Sequence, residues 1–192
     1  MTEILRLDRT VWSSLGIALL MASTSVAAKT ITVNCAGQEF EKPYEITFVY
    51  EGEDSGTMTV GGSFGEMSLP AAKKQRDGVN TDGDAVTASE IWGSGEVSLI
   101  VPDKRAIESC VKGKLTPEQA TDSDIVFSTI PSCAASAPPT AQPIPVKVYA
   151  ELGILDPQTV FLTFKRTYLE KTDLPDGKIA LEPLPPPNCV VQ

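Results

Sequence analysis

Between residues 30 and 101 period-two alternation of apolar side chains dominates in successive short stretches, and this period restricts the fold more than any other property of the chain. Ile31, Val33 and Cys35 form one such series, and Tyr44, Ile46, Phe48 and Tyr50 form another with Glu45, Thr47 and Glu51 between them. Side chains alternate across a β-strand, so each series puts one face against a core and the other in water. The segments therefore read as half-buried antiparallel strands. Further candidates are 57–60, 64–69, 85–92, 96–101 and 106–112, separated by residues 52–56, Gly61-Gly62, Asp77-Gly78, Asp82-Gly83 and Gly93-Ser94-Gly95. Glycine and Asp-Gly pairs supply the positive φ that tight hairpins need. The expected class is all-β, with a small antiparallel barrel or curled meander over residues 29–115.

A helical signal follows. Thr116 can cap, Pro117 suits a first helical position and Gln119 completes a Thr-x-x-Gln capping box. Residues 131–145 are rich in proline and alanine, which predicts an irregular linker tethered at Cys133. Beyond it, residues 146–152, 160–168 and 178–182 supply three more strands. Three strands are marginal on their own, so this β-rich segment, 146–192, is expected to pack on the first module or to lean on a disulfide. The proline-rich tail before Cys189 reads as a polyproline-like strap pinned by that cysteine.

The N-terminal 28 residues have the layout of a secretory signal peptide. A polar head is followed by an apolar run from Val11 to Met21, too short to span a bilayer, and by a small-residue tail ending at Ala27 and Ala28. Periplasmic or secreted localisation is the expectation, without membrane insertion after cleavage. In this leader Arg6 and Arg9 balance Glu3 and Asp8, so the formal charge of −9 belongs to the rest of the chain. An acidic surface repels phosphates and anionic lipid, which argues against nucleic acid and favours a cationic protein partner.

The four cysteines, Cys35, Cys110, Cys133 and Cys189, all follow the leader and predict two disulfides in an oxidising compartment. Three pairings are possible. Cys35–Cys110 with Cys133–Cys189 closes one loop in each half of the chain and is the expected one. With no CxxC spacing and no histidine, zinc and thiol-redox chemistry are disfavoured.

Several enzyme-like patterns dissolve on inspection. Gly61-Gly62-Ser63-Phe64-Gly65 fits G-x-S-x-G, yet it joins two short strand patterns, and the chain has no histidine to deprotonate Ser63. Ser109 and Lys112 match S-x-x-K without its companion signatures. Asp77, Asp82 and Asp84 lack the spacing of a calcium loop, and Glu51, Glu53 and Asp54 read as a polar hairpin tip. The basic run Lys73-Lys74-Gln75-Arg76 is too short for a nucleic-acid footprint and reads as an exposed loop. Neither an enzyme nor a cofactor is expected.

Taken in order, Cys35 ending the first strand, the strands at 44–50 and 56–60, Leu69-Pro70 ending the next, Thr81-Asp-Gly-Asp84, Ile91-Trp-Gly-Ser-Gly95, Val97-Ser-Leu99 and Cys110 resemble the MliC/PliC type of c-type lysozyme inhibitor. The resemblance covers about residues 30–112. It implies a small β-barrel whose first and last strands are joined by a disulfide. It also implies a Ser-Gly-x-x-Tyr loop that enters between the catalytic carboxylates of lysozyme. Here that loop corresponds to Arg76-Asp-Gly-Val-Asn80, with arginine for serine, aspartate for glycine and asparagine for tyrosine, while Ser94 replaces the lysine of a second motif. A guanidinium at Arg76 can still pair with carboxylates bidentately. Arg76, Asn80 and Trp92 are accordingly the candidate partner-binding residues, a core position being the other role open to Trp92. The expected function is an exported, non-enzymatic binding protein, a lysozyme-inhibitor-like one being the named candidate. The alternative is a cell-envelope structural or interaction protein on the same scaffold.

Overall fold

The backbone hydrogen bonds of the alternating segments are met in one sheet. A computed structural model of the chain describes residues 29–39, 42–79, 83–175, 177–183 and 187–192; the expected signal peptide lies outside them. The strands are β1 (Thr30–Glu39), β2 (Lys42–Gly52), β3 (Ser55–Gly62), β4 (Met67–Val79), β5 (Ala85–Leu99), β6 (Ile144–Asp156), β7 (Thr159–Tyr168), β8 (Ala180–Leu181) and β9 (Asn188–Val191). They form a nine-stranded antiparallel sheet in the order β8-β7-β6-β5-β4-β3-β2-β1-β9. The sheet curls into a half-barrel, and its ends are drawn together where the Val191 amide donates to the Pro157 carbonyl at 2.9 Å.

The alternation sets the core. Val33 and Cys35 of β1, Ile46 and Phe48 of β2, Met58 and Val60 of β3, Leu69 of β4, and Val146, Val148 and Leu152 of β6 are buried on the inner face. The tight turns fall where the sequence puts glycine. Gly62, at φ 110°, ends β3, and the Ser63 Oγ beyond it accepts from the Glu45 amide at 3.0 Å. Gly93 and Gly95, expected to break a strand, instead lie inside the continuous β5. An added Cβ at Gly93 would stand 3.3 Å from the Leu69 Cβ, and one at Gly95 would stand 3.1 Å from the Leu69 Cδ2. These glycines give Leu69 room where the sheet bends.

Between β5 and β6 the chain leaves the sheet as a helical pair, α1 (Lys104–Lys114) and α2 (Ser123–Ser136). Its stem is closed by Asp103 N–H to the Pro138 carbonyl at 2.7 Å and Thr140 N–H to the Val101 carbonyl at 2.8 Å. Both helices correct the sequence reading. The expected strand at 106–112 is the body of α1. Asp103 caps it by accepting from the Ala106 amide, and Ile107 and Val111, four residues apart, are buried. Helical spacing thus wins over the period of two. The expected linker is in part α2, whose N-cap Asp122 accepts from the amides of Asp124 and Ile125, and which buries Val126, Ile130, Cys133 and Ala134 on one face with Pro131 inside the helix. The Thr116/Gln119 capping box is present in both directions, with Thr116 N–H to Gln119 Oε1 at 3.0 Å and Gln119 N–H to Thr116 Oγ1 at 3.3 Å. It opens a 3₁₀ turn at Gln119–Thr121.

The disulfides are Cys35–Cys189 and Cys110–Cys133, not the pairing expected from loop closure within each half. The first joins β1 to β9, the strand into which the tail folds, and the second ties α1 to α2. Nor do the halves stand as separate sheets. β5 and β6 are paired from Ser89↔Ile154 to Leu99↔Ile144, so the C-terminal strands continue the first module.

Candidate binding surface

β4 and β5 run past their neighbours. β3 accompanies β4 only from Met67 to Ala72, and β6 joins β5 only from Ser89 onward. Residues 73–79 with 85–88 therefore project as a two-stranded arm. The expected loop around Arg76 is this arm: Arg76 is a strand residue opposite Ala88. Its Nε lies 3.4 Å from the Glu90 carboxylate and its side chain is 67 % exposed. Thr87 Oγ1 donates to Asp77 Oδ1 at 2.8 Å across the same ladder. Lys74 is exposed beside it, and across residues 73–88 Lys73, Lys74 and Arg76 are balanced by Asp77, Asp82 and Asp84.

Trp92 stands four residues beyond Ala88 on β5, about 13 Å along the strand. It points to the outer face, half-buried, opposite Ala72 on one side and Glu151 on the other. The core role is therefore not the one it takes. Arg76, Glu90 and Trp92 share a face, whereas Asn80 lies outside the described residues. The face continues onto β6, where Tyr149 Oη donates to Glu151 at 2.6 Å. That hydrogen bond, with burial second, pushes the Tyr149 hydroxyl up to about 12. Next to Tyr149 opens a groove of 510 Å³ between α2 and the outer faces of β6 and β7. No sequence pattern announces it, because its wall is the helix that proline had concealed.

The capped end of the half-barrel holds a second constellation. Arg166 of β7, 4 % exposed, is the buried charged side chain among the described residues. It pairs with Glu39 and lies 4.3 Å from the centroid of the Phe64 ring. Burial and the Glu39 charge push the neighbouring Tyr44 hydroxyl up to about 12. Tyr44 and Phe64 line a 310 Å³ cleft against Val101 and Pro139.

Ser63 sits in the β3–β4 turn. Ser109 is exposed on α1, where Lys112 pairs with Asp173 at 3.1 Å. Glu53 and Asp54 form the β2–β3 turn, and the Glu53 carbonyl accepts from Tyr50 Oη at 3.1 Å. Among the described residues no helix is long and apolar enough to cross a membrane. Comparison with protein-family models, with curated proteins and with solved structures finds no match for this chain.

Proposed function

We propose that this is an exported, non-enzymatic binding protein that engages a protein partner through the β4–β5 arm and the outer face at its base. The observation that carries the reading is the arm itself. A two-stranded ribbon freed of both neighbours exposes edge N–H and C=O groups and a guanidinium that Glu90 holds through Nε, a form suited to entering a cleft lined by carboxylates. The two disulfides fit the oxidising compartment that the leader implies, and periplasmic or secreted localisation belongs to the same proposal. With the chain free of histidine, no side chain has an ordinary pKa near neutrality for acid–base work.

A c-type lysozyme is the candidate partner, its net positive surface being drawn to a chain of charge −9. The test is a titration of c-type lysozyme with the oxidised protein, following lysis of bacterial cell walls at low and moderate salt. Inhibition that survives moderate salt and is lost in Arg76→Ala supports the arm reading. Inhibition unchanged in Arg76→Ala removes the role given to Arg76. Binding that fades with salt and leaves lysis intact removes lysozyme as the target. Recovery of an envelope component in pull-downs would then favour the structural alternative.

A further inference from the structure

The groove beside α2 is chemically unlike the rest of the molecule. The chain carries 25 acidic residues against 16 lysines and arginines, yet among the described residues no carboxylate lines this groove, and three lysines do: Lys147, Lys165 and Lys178. An extension of 460 Å³ shares Lys147 and Lys178 and adds Lys171, again with no carboxylate among the described residues of its lining. Of these, Lys165 is tied to Glu182 at 2.5 Å. Lys147 and Lys178 are exposed, and among the described residues neither is within ion-pair distance of a carboxylate. Glu96 stands opposite Lys147 in the β5–β6 register, outside the lining.

Between the lysines the groove is apolar. Val126 and Ile130 of α2 and Leu174 are buried beneath it, and Phe127 remains 46 % exposed at its rim. Leu169, 41 % exposed, plays the same part in the extension. An acidic protein gains nothing for solubility by placing cations around an open apolar trough. A ligand with an apolar body and one anionic head satisfies both halves of the arrangement. The body displaces water from Phe127 and the aliphatic stems of the lysines, and the head takes the ammonium donors. The volume falls within the range of small-molecule sites, roughly 300–1,000 Å³.

We infer that the α2–β6–β7 groove binds a small amphiphilic carboxylate of the fatty-acid class, with its head between Lys147 and Lys178. This does not depend on the arm or on a protein partner.

The test is a calorimetric titration of the oxidised protein with dodecanoate below its micelle concentration, beside dodecyltrimethylammonium, which has the same tail and the opposite charge. The expected result is saturable one-to-one binding of dodecanoate and none of the cation. Lys147→Gln and Lys178→Gln should each weaken binding by about fivefold, as loss of an exposed ion pair does. Both side chains point into solvent, so the variants keep the fold, which the same melting curve as the parent would verify. Arg76→Ala, remote from the groove, should leave dodecanoate binding unchanged. Unsaturable uptake, equal binding of the two surfactants, or dodecanoate binding indifferent to both lysine variants would overturn the inference.

Discussion

Arg166 on β7 and Glu39 at the end of β1 form an ion pair although 127 positions separate them in the chain. In the sheet β6, β5, β4, β3 and β2 lie between their strands, so the contact is made across the curl and not along a ladder. It therefore helps set how far the half-barrel closes. The pair sits under the helical cap, where Tyr168, the next inward residue of β7, donates to the carbonyl of Pro102 at the stem of the helical pair. One inward row of β7 thus ties the far edge of the sheet and the cap together.

Removing one member of this pair leaves the other charge buried. Glu39→Gln or Arg166→Met alone should cost about 3–5 kcal/mol, read as a lower urea midpoint with an unchanged slope. Joint replacement by Met at 166 and Leu at 39 should recover most of that loss, because apolar groups of similar size need no partner. A Glu39→Gln midpoint equal to the parent's would mean that the pair is solvated and does not close the curl.

The two disulfides close very different loops, 154 and 23 residues in separation. In the chain-entropy model the first contributes about 5 kcal/mol and the second about 3 kcal/mol. Cys35→Ser with Cys189→Ser should therefore lower stability more than Cys110→Ser with Cys133→Ser. It should also release β9, whose ladder with β1 runs only from Val33↔Val191 to Ala36↔Asn188. Peptide mapping without reduction should recover the Cys35 and Cys189 peptides joined. Recovery of Cys35 with Cys110 would contradict the continuous sheet.

The strands of the inner face were legible because their alternation is physical: Tyr44, Ile46, Phe48 and Tyr50 must share a side of any strand they occupy, and all four are buried. The errors have equally local causes. Residues 106–112 satisfy a period of two and a period near four alike, and only the cap at Asp103 and the burial of Ile107 with Val111 decide between them. Pro131 signals a broken helix, yet α2 continues through it, with the apolar face at Val126, Ile130, Cys133 and Ala134 buried on the core. Disulfide partners cannot be read from spacing, since pairing Cys35 with Cys189 depends on which strands end up adjacent. The outward position of Trp92 follows from the register of β5, which the alternation of Ile91 with Gly93 carries and the apparent glycine turn obscured. The lysines of the groove are scattered from 147 to 178 and meet only in the folded sheet.

Gly93 tests the reading of β5 as one bent strand. A methyl group there would meet the Cβ of Leu69 at 3.3 Å, the Cβ of Ala71 at 3.4 Å and the carbonyl oxygen of Pro70 at 3.4 Å. Leu69 is fully buried and has little room to yield. Gly93→Ala should therefore destabilise by about 1–2 kcal/mol, overpacking exceeding what alanine regains in backbone entropy. Ser94→Thr, one position on and facing solvent, should stay within about 0.5 kcal/mol of the parent. A Gly93→Ala variant as stable as the parent would mean that Leu69 yields to the added methyl and that the close approach does not hold the bend.

Alkaline pH should loosen the fold through its tyrosines. Tyr44 is held up at about 12 by burial first and by the Glu39 charge second, against the lowering effect of Arg166. Tyr149 is held at about 12 by its hydrogen bond to Glu151, and Tyr168 is pushed higher still, chiefly by burial. In the unfolded chain each ionises near the ordinary tyrosine value of 10.0. A folded pKa above the unfolded one means that below about pH 10 both states are protonated and stability is at its full value. As pH rises from 10 toward 12 the unfolded chain loses protons that the folded chain keeps, so stability falls across that window. Urea midpoints measured from pH 8 to pH 12 should be flat and then decline, by an amount on the order of 2 kcal/mol per buried tyrosine. Tyr44→Phe should shallow the decline without moving its onset, whereas a decline that begins below pH 9 would have to come from other groups.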